Sequence, residues 1–161
     1  MSAIIVLAAI LVRQLITAHT KTSLLMSTEN NNFDFELDLI FSGQKNHDDD
    51  EIRKAQLFIE NNVGDKIIVE KLSSKFSIDR RNFDRRFKKA TGNSPLEYMQ
   101  RVKIEAAKKS LETSRKTVTE VMFQVGYSDV RAFREVFKKI TGMSPIEYRS
   151  KYNKEAADLS L

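Results

Sequence analysis

The 161-residue sequence contains no cysteine, no tryptophan and only two prolines. The absence of cysteine excludes disulfide bonds, thiolate metal sites and a cysteine nucleophile. The two histidines, His19 and His47, are far apart in the sequence, so we expect neither a metal site nor histidine catalysis. The sequence also has no glycine-rich phosphate loop and no nucleophile elbow. We therefore predict that the protein is not an enzyme and binds no cofactor.

Long hydrophobic runs are also scarce. The apolar run at residues 3–12 has ten residues, about half of the ~20 that a membrane-spanning helix needs. A secretory signal is not expected either, because only Met1 and Ser2 precede the run and Arg13 follows it. We therefore predict a cytoplasmic protein without a membrane partner, in which this run packs against other protein segments.

Charge is distributed unevenly along the chain. The net charge is +5, yet residues 1–50 carry 3 basic and 7 acidic side chains, whereas residues 51–161 carry 24 and 15. A strong basic excess favours an acidic partner, of which nucleic acid is one. Within the acidic part, residues 27–50 are typical of a linker, in which residues 33–41 would form a short strand or a docking segment.

The basic part contains the same unit twice. The pattern F-x3-F-K-K-x-T-G-x-S-P-x-E-Y begins at Phe83 and recurs from Phe133, fifty positions later and without a gap. The register continues upstream, because Glu70 matches Glu120. Duplicated units indicate a duplicated target.

Repeated capping residues divide the two copies into helices. The Ser-Pro-x-Glu segments at Ser94 and Ser144 and the Thr-x-x-Glu segment at Thr117 are capping boxes, and Gly92 and Gly142 would end the preceding helices. Apolar residues follow at helical spacing. We predict an all-α fold of about seven helices, over residues 51–62, 68–76, 79–91, 95–112, 118–125, 129–141 and 145–152.

Each copy has a short helix, a tight turn and a second helix rich in arginine, which is a helix-turn-helix pattern. The turn of the second copy contains Gly126, whereas the first copy has Ser77 in its turn. We predict an N-terminal remnant and linker over residues 1–50, a first subdomain over 51–93, a linker helix over 94–113, a second subdomain over 114–154 and a tail over 155–161.

The arginine-rich helix of each copy also has two phenylalanines four residues apart, which should face the core and turn the charged side chains outward. Arginine can donate to guanine O6 and N7, and an acidic side chain can accept from the amino group of cytosine. Both outward faces therefore carry side chains that are able to read base edges: Arg81, Asp84, Arg85, Arg131, Arg134 and Glu135. We predict that these contact phosphates: Arg80, Lys88, Lys89, Lys116, Lys138 and Lys139.

Simpler interpretations of these residues remain open. Asp84 and Glu135 are at helical spacing from Arg80 and Arg131, and could form ion pairs with them instead of contacting cytosine. The basic helices could also form a protein-interaction module that docks on an acidic partner. A membrane surface is disfavoured, because the apolar faces of both helices are predicted to be buried.

The spacing of the two units predicts the form of a DNA target. An eighteen-residue helix over 95–112 would be roughly 27 Å long, near the ~34 Å between successive major grooves on one face of DNA. A single chain could then bind a bipartite, non-palindromic site whose halves are about one helical turn apart, with the DNA bent if the linker is short.

Paired helix-turn-helix units that end in F-K-K-x-T-G-x-S-P-x-E-Y and are joined by a long helix resemble the DNA-binding domain of the AraC/XylS transcription regulators, over about residues 50–152. The resemblance implies double-stranded DNA as partner, activation of transcription and contact with RNA polymerase. It also implies that the base-reading positions are Arg81, Asp84 and Arg85 on the first arginine-rich helix and Arg131, Arg134 and Glu135 on the second.

A second resemblance concerns the linker. Residues 41–48 are similar to the joint that follows a class I glutamine-amidotransferase-like sensor domain in one branch of the family. By that analogy the apolar residues 3–16 are the tail of such a domain, whose effector the sequence does not identify.

Overall fold

The structure is a computed structural model and describes residues 41–153. In this range a short 3-10 helix, Ser42–Gln44, precedes seven α-helices, and no strand occurs. The helices are α1 Asp50–Asn61, α2 Val69–Lys75, α3 Arg80–Thr91, α4 Pro95–Thr113, α5 Val118–Gln124, α6 Val130–Thr141 and α7 Pro145–Tyr152. The predicted all-α fold of about seven helices is confirmed. The apolar run at 3–12, residues 33–40 of the candidate strand or docking segment over 33–41, and the tail over 155–161 lie outside the described residues.

The helix ends follow the repeated capping residues. Ser94 caps α4 and Ser144 caps α7, and in both boxes the glutamate three residues later accepts a hydrogen bond from the serine N–H, at 2.8 and 2.7 Å. These backbone hydrogen bonds lower the pKa of both glutamates. Asp79 and Asp129 are N-caps whose carboxylates accept backbone N–H groups, so α3 and α6 begin one residue later than predicted.

Helix α4 is shared by the two halves of the fold. It contacts α1 and α3 of the first half and α5, α6 and α7 of the second half. Phe83 and Phe87 of α3 are fully buried, and the Phe87 ring lies 5.3 Å from that of Tyr98 in α4. The second half repeats this packing, because the ring of Phe137 lies 5.5 Å from that of Tyr148 in α7. The four phenylalanines of the repeat are core residues, as predicted.

The segment directly before α1 packs on the first half of the fold; it belongs to the predicted linker, in which residues 33–41 were expected to form a short strand or a docking segment. The Phe41 ring is buried 5.2 Å from the Tyr98 ring, and Lys45 Nζ lies 2.7 Å from the carboxylate of Glu60. Gln56 is also fully buried and donates to Tyr98 Oη at 3.2 Å. Buried polar groups need hydrogen-bond partners, and residues before α1 supply several of them.

The turns of the two helix-turn-helix units use the same backbone conformation with different residues. Gly126 has a φ of 77°, and Ser77 has a φ of 56°, the only positive φ of a non-glycine residue between 41 and 153. Left-handed backbone costs an L-amino acid with a side chain roughly 1–2 kcal/mol. The first turn therefore contains backbone strain that the second turn avoids.

We predict that Ser77→Gly raises the free energy of unfolding by about 0.5–1 kcal/mol. Glycine removes the backbone strain of the folded state, and the higher conformational entropy of its unfolded chain offsets part of that stabilisation. Urea unfolding followed by circular dichroism measures the change. Gly126→Ala is the matched contrast, since an added Cβ would lie 2.5 Å from the Gly64 carbonyl oxygen at a φ of 77°. It should destabilise the protein by more than ~2 kcal/mol. A Ser77→Gly protein no more stable than the native one would contradict the strain.

Candidate nucleic-acid interface

Helix α3 presents an exposed basic face opposite its buried phenylalanines. Arg81, Arg85, Lys88 and Lys89 are exposed along this helix. The guanidinium of Arg85 donates from Nη2 to Oδ1 of Asn82 at 3.0 Å, which holds it along the outer surface. The predicted outward orientation of these side chains is what the structure shows.

The acidic residue of this face forms an intrahelical ion pair. Arg80 Nε donates to Asp84 Oδ1 at 3.1 Å, and its Nη1 also donates to the carboxylate of Glu70 in α2. The hydrogen bond to Asp84 raises the pKa of Arg80, so this side chain stays charged. In the absence of DNA, Asp84 is therefore a partner of Arg80, as the simpler interpretation of the sequence allowed.

One arginine of α3 does not belong to the outer face. Arg86 is half-buried and makes a two-pronged contact with Asp49, at 2.9 Å from Nε to Oδ2 and 2.7 Å from Nη2 to Oδ1. The hydrogen bond from Arg86 lowers the pKa of Asp49, which also caps α1. Arg86 therefore ties α3 to the segment before α1 and is excluded from the candidate interface.

Helix α6 carries the equivalent face in the second unit. Arg131 Nε donates to Glu135 Oε1 at 3.1 Å, and both side chains are exposed, at 89% and 66%. Arg134 is exposed and makes no side-chain hydrogen bond or ion pair within residues 41–153. Lys138 and Lys139 are exposed in the last turn.

The structure thus brings the predicted residues together in two groups and leaves one apart. The first group lies on α3 and contains Arg80, Arg81, Asp84, Arg85, Lys88 and Lys89. The second lies on α6 and contains Arg131, Arg134, Glu135, Lys138 and Lys139. Lys116 lies instead before α5, where its Nζ donates to Gln124 Oε1 at 3.1 Å.

Asn82 is a further polar residue on the outer face of α3 that was not among the predicted base readers. This residue is exposed next to Arg85 and its amide can pair with adenine in the way that arginine pairs with guanine. The equivalent position fifty residues later is Ala132, which has no polar side chain. Comparison of the two copies at their fifty-residue offset could have drawn attention to Asn82, because the outer face of the first copy has a polar side chain at this position and the second copy does not.

Other kinds of site find no support between residues 41 and 153. No group of three or more metal-ligating side chains lies close enough together there to hold a metal ion. None of the helices in this range is long and apolar enough to cross a membrane.

Comparison with known proteins agrees with this geometry. A family profile described as "Helix-turn-helix domain" matches residues 72–151. The transcriptional activator RhaS of Klebsiella pneumoniae is 28% identical over 83 residues, which are 52% of this chain and 30% of RhaS. The DNA-binding domain of AdpA, solved in complex with a target DNA, is 31% identical with a TM-score of 0.61, covering 63% of this chain and 92% of that one. A probable AraC family regulator from Rhodopseudomonas palustris is 25% identical with a TM-score of 0.58, covering 65% and 98%.

The fold, its two exposed basic helices and these likenesses define a paired helix-turn-helix protein of the DNA-binding class, which is not a class of enzymes. The chain belongs to the AraC/XylS family and carries that family's DNA-binding domain. The match covers less than a third of the length of RhaS.

We expect the ion pairs on the outer faces to contribute much less to the free energy of unfolding than the buried phenylalanines do. Glu135→Gln should change the free energy of unfolding by less than ~0.5 kcal/mol, because exposed intrahelical pairs are weak. Phe133→Ala, two positions away on the buried side, should cost about 3–5 kcal/mol. Chemical unfolding of both variants tests this. A loss of more than ~1 kcal/mol in Glu135→Gln would give that carboxylate a structural role instead.

Proposed function

We propose that the protein regulates transcription by inserting α3 and α6 into successive major grooves of a bipartite site on double-stranded DNA. The observation that carries this proposal is the likeness to the AdpA domain, which was solved on its target DNA. The duplicated unit within this chain also supports the proposal, because a charged face of the same kind occurs on α3 and on α6, and both helices pack against α4.

The two faces carry matching base-reading chemistry under this proposal. On α3, Arg81 and Arg85 would donate hydrogen bonds to guanine. Asp84 would exchange its hydrogen bond with Arg80 for one that it accepts from the amino group of cytosine. On α6, Arg131, Arg134 and Glu135 take these roles. The pairs Arg80–Asp84 and Arg131–Glu135 cost little to break because they are exposed, so their members are available to DNA.

Phosphate contacts belong to the lysines in the last turns of α3 and α6 and to residues at the edges of both units. This group contains Lys88, Lys89, Lys138, Lys139, Arg80 and Lys116. Ammonium groups on flexible stems are point charges, so they would strengthen binding to any DNA sequence without selecting one.

The remaining parts of the proposal concern the whole protein. Activation of transcription, with RNA polymerase as partner, is favoured because RhaS, an activator, is a relative. A cytoplasmic location follows from action on DNA. We also propose an N-terminal remnant and linker over residues 1–50, the subdomain limits 51–93, 94–113 and 114–154, and a tail over 155–161.

The division between base readers and phosphate binders gives opposite mutational signatures. Arg85→Ala or Arg131→Ala should lose about 1–3 kcal/mol of binding to the preferred site and relax selectivity at one or two base pairs. Lys89→Ala should weaken the preferred and a random duplex about equally and reduce the slope of log K against log salt by about one. Fluorescence anisotropy titrations at several salt concentrations measure both.

Lys54→Ala is the control, since this exposed lysine of α1 pairs with Glu51 on the same helix at 2.7 Å. It should leave affinity and selectivity unchanged. Equal losses on specific and random DNA in both arginine variants would contradict the assigned base contacts.

A further inference from the structure

Lys103 lies at the junction of the two helix-turn-helix units. It belongs to α4, and its ammonium nitrogen donates to three backbone carbonyls: Val63 O, Asp65 O at 2.9 Å and Val125 O at 2.8 Å. The first two carbonyls are in the loop after α1, and the third is in the turn between α5 and α6. One side chain therefore bonds to both units at once.

Two glycines let the same segments approach each other. A Cβ on Gly126 would lie 2.5 Å from the carbonyl oxygen of Gly64 and 2.7 Å from Lys103 Nζ, so a side chain at this position would clash with both. Gly64 in turn packs closely on the backbone of Gln124, whose oxygen would be 3.1 Å from an added Cβ. The contact between the units is thus made by backbone, with the Lys103 ammonium beside it.

The charge of this ammonium matches its surroundings. A protonated lysine has three N–H donors, one for each of the three carbonyls. Burial lowers the pKa of Lys103 to about 8, while the carboxylate of Asp65 favours the charged form, so the ammonium predominates at pH 7. A hydrogen bond from a charged donor is stronger than one from a neutral donor. The three hydrogen bonds therefore hold the loop after α1 and the turn after α5 in place around Lys103.

The repeat offers an internal comparison. Fifty residues after Lys103 is Asn153, whose side-chain amide donates to Leu111 O at 2.9 Å and Ser114 O at 3.3 Å. Both of these carbonyls are at the end of α4, so Asn153 ties α7 to a neighbouring helix end within its own half. The first copy has a longer, charged residue at this position, and only that residue reaches a turn of the other unit.

We propose that Lys103 is a positioning residue that fixes the orientation of one helix-turn-helix unit relative to the other, and so sets which spacing between two half-sites the protein accepts. The second half of this statement rests on the proposed binding of a bipartite DNA site. The first half concerns the free protein and holds or fails without DNA. Lys103 itself is not assigned a DNA contact.

The first test measures the distance between the units in the free protein. Because the chain has no cysteine, Lys71→Cys in α2 and Thr119→Cys in α5 give two exposed positions for spin labels. Pulsed electron paramagnetic resonance should show one narrow distance distribution in the native background and a broader one in Lys103→Met. Lys108→Met, which removes a lysine that pairs with Glu105 on the same helix at 2.7 Å, should leave the distribution narrow.

Two further variants keep the test decisive. Lys103→Arg retains charge and donors and should preserve the narrow distribution, whereas Lys103→Gln retains two donors without charge and should broaden it even if Lys103→Met does not fold. Circular dichroism confirms that each measured variant is helical. A distribution in Lys103→Gln or Lys103→Met as narrow as the native one would overturn the proposal.

The second test measures selectivity for spacing on DNA. Native protein should bind a duplex with half-sites about ten base pairs apart more tightly than one with about three base pairs inserted between them. Lys103→Met should reduce the ratio of these two affinities about tenfold. Binding to a single half-site should change by less than about twofold. Retained spacing selectivity in Lys103→Met would overturn the role in DNA recognition. If native protein fails to bind either duplex, the proposed function fails, while the distance measurement still decides the role of Lys103 in the free protein.

Discussion

The structure depends on the sharing of α4 between two units that are each too small to bury an adequate core. Tyr98, near the start of α4, packs on Phe87 of the first unit, and the later turns of α4 contact α5, α6 and α7. This packing leaves little freedom in how α3 and α6 are rotated about their axes, because rotation would expose a phenylalanine such as Phe83 or Phe133, both fully buried. The outward direction of the charged faces is therefore a consequence of the core.

Within that common frame the two units differ in their polar residues. The first unit places Asn82 beside Arg85 and uses Arg86 to hold the segment before α1 through Asp49. In the second unit the position equivalent to Arg86 is Val136, and the outer face presents an exposed arginine and glutamate pair. Under the proposed function, a duplicated scaffold with unequal outer faces would suit two different half-sites, and one chain that supplies both units would favour a target without two-fold symmetry.

Helices and caps could be predicted because their signals are local. Capping boxes, glycines after helices and phenylalanines four apart act within one or two turns, and they repeat, so each copy supports the interpretation of the other. The contacts of Lys103 could not be predicted, since they join α4 to carbonyls 22 to 40 residues away, and any residue can offer a carbonyl. The packing of Phe41 on Tyr98 agrees with the docking segment that was one of two expectations for residues 33–41, but its partner could not be identified, because Tyr98 lies 57 residues further along the chain.

Selection of bound duplexes from a random DNA pool, at about 150 mM salt, tests the central claim most directly. Two units that both read bases should enrich a motif of two different blocks with centres about ten base pairs apart, preferred ~10³-fold or more over scrambled DNA. Enrichment of a single block would contradict paired readout, and would leave the second unit with phosphate contacts alone. A pool without any enriched sequence would contradict sequence-specific binding altogether.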